Sequence, residues 1–194
     1  MNPPNVQYIL ECFIKPMSSP EEEETKQPIH LTPWNLTMLS THYIQKGLLF
    51  VKPSSMNNQE NTVQPLLERH KKALSFTLDP LAGRLAMSKQ EIPPHYSVYI
   101  NIDNSPGAKF IHATVNLTVS DILSLVDVPL VVQSFFDHDK AINHNGHTLS
   151  LLSIQLTELV DGIFIGCSIN NVVVDGTSCW HFFNTYVRIM YLYH

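Results

Sequence analysis

Two strand-forming runs meet at a single dipeptide. Leu149 to Val160 and Ile163 to Ile169 are dense in β-branched and aliphatic residues, and only Asp161-Gly162 separates them. Asp-Gly between such runs is the strongest short signal for a hairpin, so this spacing predicts two antiparallel strands joined by a tight turn. After Asp175-Gly176 the pattern changes period. Trp180, Phe183, Val187 and Tyr191 then recur on one helical stripe, which predicts a helix packed on the sheet through Trp180 and Phe183. Strand, strand, turn and amphipathic helix in that order imply an α/β domain: a mixed β-sheet with flanking helices on one side.

The first half supplies further elements. Strands are predicted over Val6 to Phe13, Tyr43 to Val51, Tyr96 to Ile102 and Lys109 to Asn116, the last two on either side of the turn "DNSPGA". Val63, Leu66, Leu67, His70, Leu74 and Leu78 fall at helical intervals with Lys71 and Lys72 on the wet side, and Pro80 stops that helix. "TVSDIL" opens a short helix, with Thr118 as cap and Asp121 three residues on, an acidic form of the capping box. "KPMSSPEEEETKQP" and "SSMNNQEN" read as solvated connections.

Composition removes whole classes of partner. Glu21 to Glu24 supply four of the five excess negative charges, so no basic field invites nucleic acid or an anionic membrane. No apolar window reaches bilayer length, and "MNPPNVQYIL" lacks the basic start and apolar run of a secretion signal. Cys12, Cys167 and Cys179 are odd in number and contain no CxxC pair, which argues against a disulfide framework or a zinc site. A reducing, cytoplasmic setting is the expectation. The triplets at Asn35 and Asn116 match the glycosylation pattern, but without secretion they read as chance.

Four stretches carry potential chemistry. "DHDKAINHNGH" gathers Asp137, His138, Asp139, His144 and His147, but their spacing fits no metal-ligand pattern, and a polar loop is the simpler reading. His70 reads as a core residue. Arg84 follows Gly83, so its guanidinium either meets a carboxylate or is a surface charge; local sequence leaves both open. In "GCSINNVVVDGTSCWHFF" a strand ends, Asp175-Gly176 turns the chain, and Thr177 or Ser178 caps the next helix. From residue types alone, that stretch is a turn.

Taken together, "NVVVDG" (171–176), "DPLAGRL" (79–85), "INHNGHTLSL" (142–151), "IQLTELVDGIFIGCSIN" (154–170) and "DGTSCWHFFNTY" (175–186) resemble the N-terminal half of a plant BAHD acyltransferase, whose signature is His-x-x-x-Asp-Gly. "HLTPWNL" and "HYIQKGLLF" match the wording of some members more closely still. The resemblance implies one half of a chloramphenicol-acetyltransferase-like two-domain fold. It also implies acyl-CoA as co-substrate, a small-molecule hydroxyl or amine acceptor, and no metal or permanently bound cofactor. In such enzymes the motif histidine takes the acceptor's proton while the aspartate faces away and pairs with an arginine. By position Asn171 occupies the base site, Asp175 orients the turn and Gly176 permits it; Arg84 is not assigned as the aspartate's partner.

Three departures bear on activity. An amide has no useful basicity near neutral pH, so Asn171 can hydrogen-bond an acceptor but cannot deprotonate it. "LSFTLDPLAGRL" is shorter than the relatives' version by nearly one helical turn, which puts packing there in question. The family's second half, with its Asp-Phe-Gly-Trp-Gly stretch, is absent. Residues 1–186 are therefore expected to form the N-terminal-type domain and 187–194 a divergent tail. The expectation is an acyltransferase-family protein, impaired or inactive. The alternatives are another reaction on the same scaffold, or a non-catalytic protein that binds a ligand or pairs with a C-terminal half or full-length relative.

Overall fold

The computed structural model describes residues 5–17, 27–52, 63–77, 80–103, 105–124 and 126–192. The predicted connections around the glutamate run and "SSMNNQEN", and Leu78-Asp79 in the shortened stretch, lie outside the described residues. In chain order come β1 (Gln7–Ile14), β2 (Ile29–His30), α1 (Pro33–Leu36), β3 (Ile44–Val51), α2 (Val63–Thr77), β4 (Arg84–Glu91) and β5 (Pro94–Asn101). They are followed by β6 (Ala108–Thr114), α3 (Val119–Leu123), β7 (Leu152–Glu158), β8 (Gly162–Ile169) and α4 (Gly176–Leu192), with short 3-10 helices at Leu130–Phe135 and Asn143–His147.

Five strands form a mixed sheet in the order β1-β6-β7-β8-β3, parallel only between β6 and β7. A smaller antiparallel sheet has the order β2-β5-β4. The mixed α/β architecture is the predicted one. β4 was not visible in the sequence because "RLAMSKQE" buries only Leu85 fully and shows no sustained alternation; pairing with β5 makes it a strand.

The predicted hairpin joins β7 to β8, but its turn is displaced by one residue. Leu159 N–H donates to Gly162 O at 2.9 Å, so Val160 and Asp161 are the central pair. Gly162 does not supply a left-handed backbone. It supplies room: a Cβ there would lie 2.4 Å from Val119 Cγ2 and 2.6 Å from Phe50 O. Asp161 Oδ1 accepts from Val119 N at 2.7 Å, tying this turn to the start of α3. At the other end of that tie, Thr118 and Asp121 form the predicted reciprocal cap.

The two long helices share one face of the large sheet. Leu67, Ala73 and Leu74 of α2 and Cys179, Phe182, Phe183 and Tyr186 of α4 pack with Phe110, Ile154, Leu156, Ile165, Cys167 and Ile169. The α4 stripe is rotated from the predicted one: Phe183 is buried, but Trp180 is 47 % exposed and takes the Lys46 ammonium 5.1 Å from its ring centre. Small Cys179 fills the buried position instead, and the i, i+3, i+4, i+7 series then starts from it. The helices are not all on one side. α3 and the 130–135 segment cover the opposite face, where Val115, Ile122, Val132, Phe135, Leu159 and Phe164 form a second cluster. Gly166 lets this cover approach, since a Cβ would fall 2.1 Å from Phe135 O.

His70 is buried as predicted, and its Nδ1 makes a short hydrogen bond with Tyr186 Oη, joining α2 to α4. Burial holds this imidazole neutral, lowering its pKa from 6.5 to about 4. As pH falls through 6.5 the unfolded chain binds this proton first, so the contribution to stability is whole above 6.5 and is lost progressively down to about 4. Up to about 3 kcal/mol is at stake. Urea unfolding at pH 7.5 and pH 5 is expected to show a lower midpoint at pH 5, and a His70→Leu/Tyr186→Phe double variant should show a smaller difference, what remains coming from groups such as His138, which desolvation shifts the same way. Separately, Gly166→Ala should cost about 1–3 kcal/mol by the same measurement, because the strand and its cover must part.

Candidate functional site

β8 runs out beneath cover, so its last backbone groups cannot turn to water. On the β7 side the ladder continues one step past Leu152–Ile169, with Asn170 N donating to Leu151 O at 2.8 Å. On the β3 side it stops at Ile44–Ile169. The next residues of that strand turn to residues 141–143 instead: Tyr43 N donates to Ala141 O at 3.2 Å, His42 bridges Ile142, and Asn143 N donates to Thr41 O at 2.8 Å. Residues 170 and 171 are thereby left without a β3 partner.

Side chains take over. Fully buried Asn143 accepts from Asn171 N at 2.8 Å through Oδ1, and its Nδ2 faces Met38 O, Thr41 Oγ1 and His42 O at 2.9–3.2 Å. Fully buried Asn170 donates through Nδ2 to Asn143 O at 2.8 Å and accepts from Val172 N at 3.0 Å. Asn35 of α1 donates to Val172 O at 3.1 Å. Val173 N then donates to Asn170 O at 3.1 Å, closing a turn. Asn171 rides on this fixed backbone, half-buried, and its carboxamide makes no hydrogen bond among the described residues. Such an amide can donate to and accept from a ligand but cannot take up a proton near neutral pH.

Asp175, exposed, is the cap of α4. Its Oδ1 accepts from Ser178 N at 2.7 Å and its carbonyl accepts from Cys179 N at 2.9 Å. The Ser178 N–H holds the carboxyl below its ordinary range. This corrects the expectation that Thr177 or Ser178 caps the helix: the aspartate side chain takes the orphan Ser178 N–H of the first turn, and its carbonyl accepts the first intrahelical bond. Gly176 is exposed with nothing within 4 Å of a would-be Cβ, and its backbone is outside the left-handed region, so this turn does not need glycine there.

Arg84 meets carbonyls rather than a carboxylate. Its Nη1 donates to Gly83 O at 2.8 Å and Gly107 O at 2.9 Å, and the guanidinium lies 5.8 Å from the Phe13 ring centre. The "DHDKAINHNGH" stretch is likewise more than a solvated loop. His138 and Lys140 both adopt positive φ, and His138 is held by Ser150 Oγ at 2.8 Å on Nε2 and by Asp137 at 3.3 Å on Nδ1. A serine, a histidine and a carboxylate in series suggest a nucleophile, but Ser150 is only 2 % exposed. The series pins the strained turn. Buried Tyr43, its phenol pushed up to about 12 by desolvation, donates to Ser150 O at 3.2 Å behind it. Among the described residues no three His, Cys, Asp or Glu side chains gather as a metal ion would require.

The sequence singles out residue 171 but gives no sign of the amides around it, Asn143, Asn170 and Asn35. Asparagines in polar stretches look like solvation, and only the third dimension reveals that two of them are buried. A groove of about 350 Å³ at the far end of β7 is lined by Gln7, Thr114, Asn116 and Glu158, but that carboxylate already pairs with His112 at 2.6 Å and Lys52 at 3.4 Å.

The model of the Transferase family matches residues 7–191. An uncharacterised acetyltransferase of Arabidopsis thaliana is 37 % identical over 190 residues, 95 % of this chain and 41 % of that protein. The Arabidopsis BAHD acyltransferase DCR is 31 % identical over 172 residues, 84 % of this chain and 34 % of its own. The chain thus spans about two fifths of the length of these relatives. Among solved structures, vinorine synthase superposes with a TM-score of 0.72 at 20 % identity, over 96 % of this chain and 43 % of its own. F. sporotrichioides TRI101, solved with coenzyme A and T-2, gives 0.63 at 15 % identity, over 85 % and 39 %. Among the described residues no helix is long and apolar enough to cross a membrane. With the family model covering nearly the whole chain and relatives above 30 % identity agreeing, the chain belongs to the BAHD-type Transferase family of acyltransferases.

Proposed function

We propose that this chain corresponds to the N-terminal part of an acyl-CoA-dependent acyltransferase in which Asn171 stands where the family signature places its proton-accepting histidine. The acceptor is a small molecule bearing a hydroxyl or amine. One observation carries the reading: the residue-171 carboxamide is half-buried and makes no hydrogen bond among the described residues, while its backbone N–H is held by Asn143 Oδ1. A group so placed is free to meet a substrate.

The chemistry then follows from what an amide lacks. Acyl transfer forms a bond from the acceptor's oxygen or nitrogen to the thioester carbon, breaks the carbon–sulfur bond, and releases the acceptor's proton. Asn171 can align the acceptor through a hydrogen bond, which supplies orientation. It cannot receive the proton, so the contribution of general-base catalysis, about 10²–10⁴ in rate, is missing. Asp175 acts on this site only through the turn and helix start that it caps.

Thiol release from a panel of acyl-CoA donors, measured with and without the C-terminal part of a relative supplied in trans, tests this reading. Asn171→His should raise transfer by about 10²–10⁴ and introduce a rate dependence on pH that rises through the imidazole range, near 6.5. Ordinary family rates from the unaltered chain, or no gain from the histidine variant in either arm, would sink the proposal.

A further inference from the structure

Position 171 depends on a residue far from the signature. The antiparallel register of β3 and β8 pairs Ile44 with Ile169, and continued it would pair His42 with Asn171. That continuation does not form, because residues 41–43 bond to residues 141–143. A backbone N–H at a covered strand end must still find an acceptor. We infer that Asn143 is the positioning residue for position 171, its carboxamide replacing the missing strand as the hydrogen-bond partner of the Asn171 backbone.

Three further features support this role. The acceptor oxygen, Asn143 Oδ1, is oriented because the other end of the same amide is spoken for: Nδ2 faces Met38 O, Thr41 Oγ1 and His42 O. A second bond runs the same way, since Asn143 O receives the Asn170 Nδ2–H at 2.8 Å. And the pocket for the Asn170 amide is kept open by Gly146, where a Cβ would lie 2.7 Å from Asn170 Nδ2. The inference rests on the proposed acyl-transfer role of position 171 for its functional half alone; the geometric half stands apart from it.

The test reads backbone exchange and kinetics separately. In the unaltered chain, Asn143→Ala should speed hydrogen–deuterium exchange at the Asn171 amide by about tenfold beyond any global change, the effect of losing one hydrogen bond. Gly146→Ala, which crowds the Asn170 amide, should do the same by another route and serves if Asn143→Ala does not fold. Tyr186→Phe, which weakens the α2–α4 contact instead, should change exchange without singling out residue 171. On an Asn171→His background, Asn143→Ala should lower kcat about ten- to a hundredfold with little change in KM, as misplacement of a reacting group does. Exchange at Asn171 no faster than in Tyr186→Phe, or an undiminished kcat, would overturn the inference. Were Asn171→His alone inert, the acyl-transfer reading would fall, and the exchange comparison would decide the positioning by itself.

Discussion

The structure around residues 169–179 is governed by one requirement: backbone groups leaving a covered strand must be hydrogen-bonded before the chain can change direction. β8 is packed on both faces, by α2 and α4 on one side and by the 130–136 segment on the other. Within six residues its chain passes from ladder to helix. Leu151 O, Asn143 Oδ1, Asn170 Oδ1 and Asn170 O receive the N–H groups of residues 170, 171, 172 and 173 in turn, and Asp175 receives those of Ser178 and Cys179. Asparagine suits this work because one amide both accepts and donates, so it can stand in for a missing peptide group.

The same logic explains how distant loops become parts of one site. Asn143 belongs to a 3-10 helix after a strained turn at His138 and Lys140, and Asn35 belongs to α1 near the start of the chain. Neither strain nor burial is incidental. His138 is fixed between Ser150 and Asp137, and Asp137 in turn meets Lys109 of β6 at 3.3 Å. The turn is thus anchored to the large sheet, and residues 141–143 follow it into the gap beside β3.

Periodicity and local caps were legible in the sequence; orientation and substitution of partners were not. The β7–β8 hairpin, α2 and the Thr118–Asp121 box all follow from spacing, because each is stabilised by neighbours close in the chain. The hairpin turn slipped by one residue because Gly162 is demanded by Val119 and Phe50, contacts that the dipeptide does not encode. The α4 stripe was misphased because Trp180 is large and apolar, yet Cys179 is the residue that fits against the sheet. For Arg84 the local sequence leaves a carboxylate partner and a surface charge equally open, whereas carbonyls at Gly83 and Gly107 satisfy it. Asn171 is singled out only by the family resemblance, and the amides around it carry no local signal.

The division of labour between backbone and side chain at residue 171 has a chemical consequence. Its N–H is held by Asn143, and the carbonyls beside it belong to a turn closed by Asn170, while its carboxamide holds nothing in the described structure. A side chain that contributes nothing to the scaffold can be exchanged without loss of fold. Position 171 is therefore one where chemistry and stability are separable, in contrast to Asn143 and Asn170, whose amides are buried and whose loss would leave donors and acceptors unpaired. A scaffold of this kind holds the backbone of residue 171 in place whichever side chain is presented there.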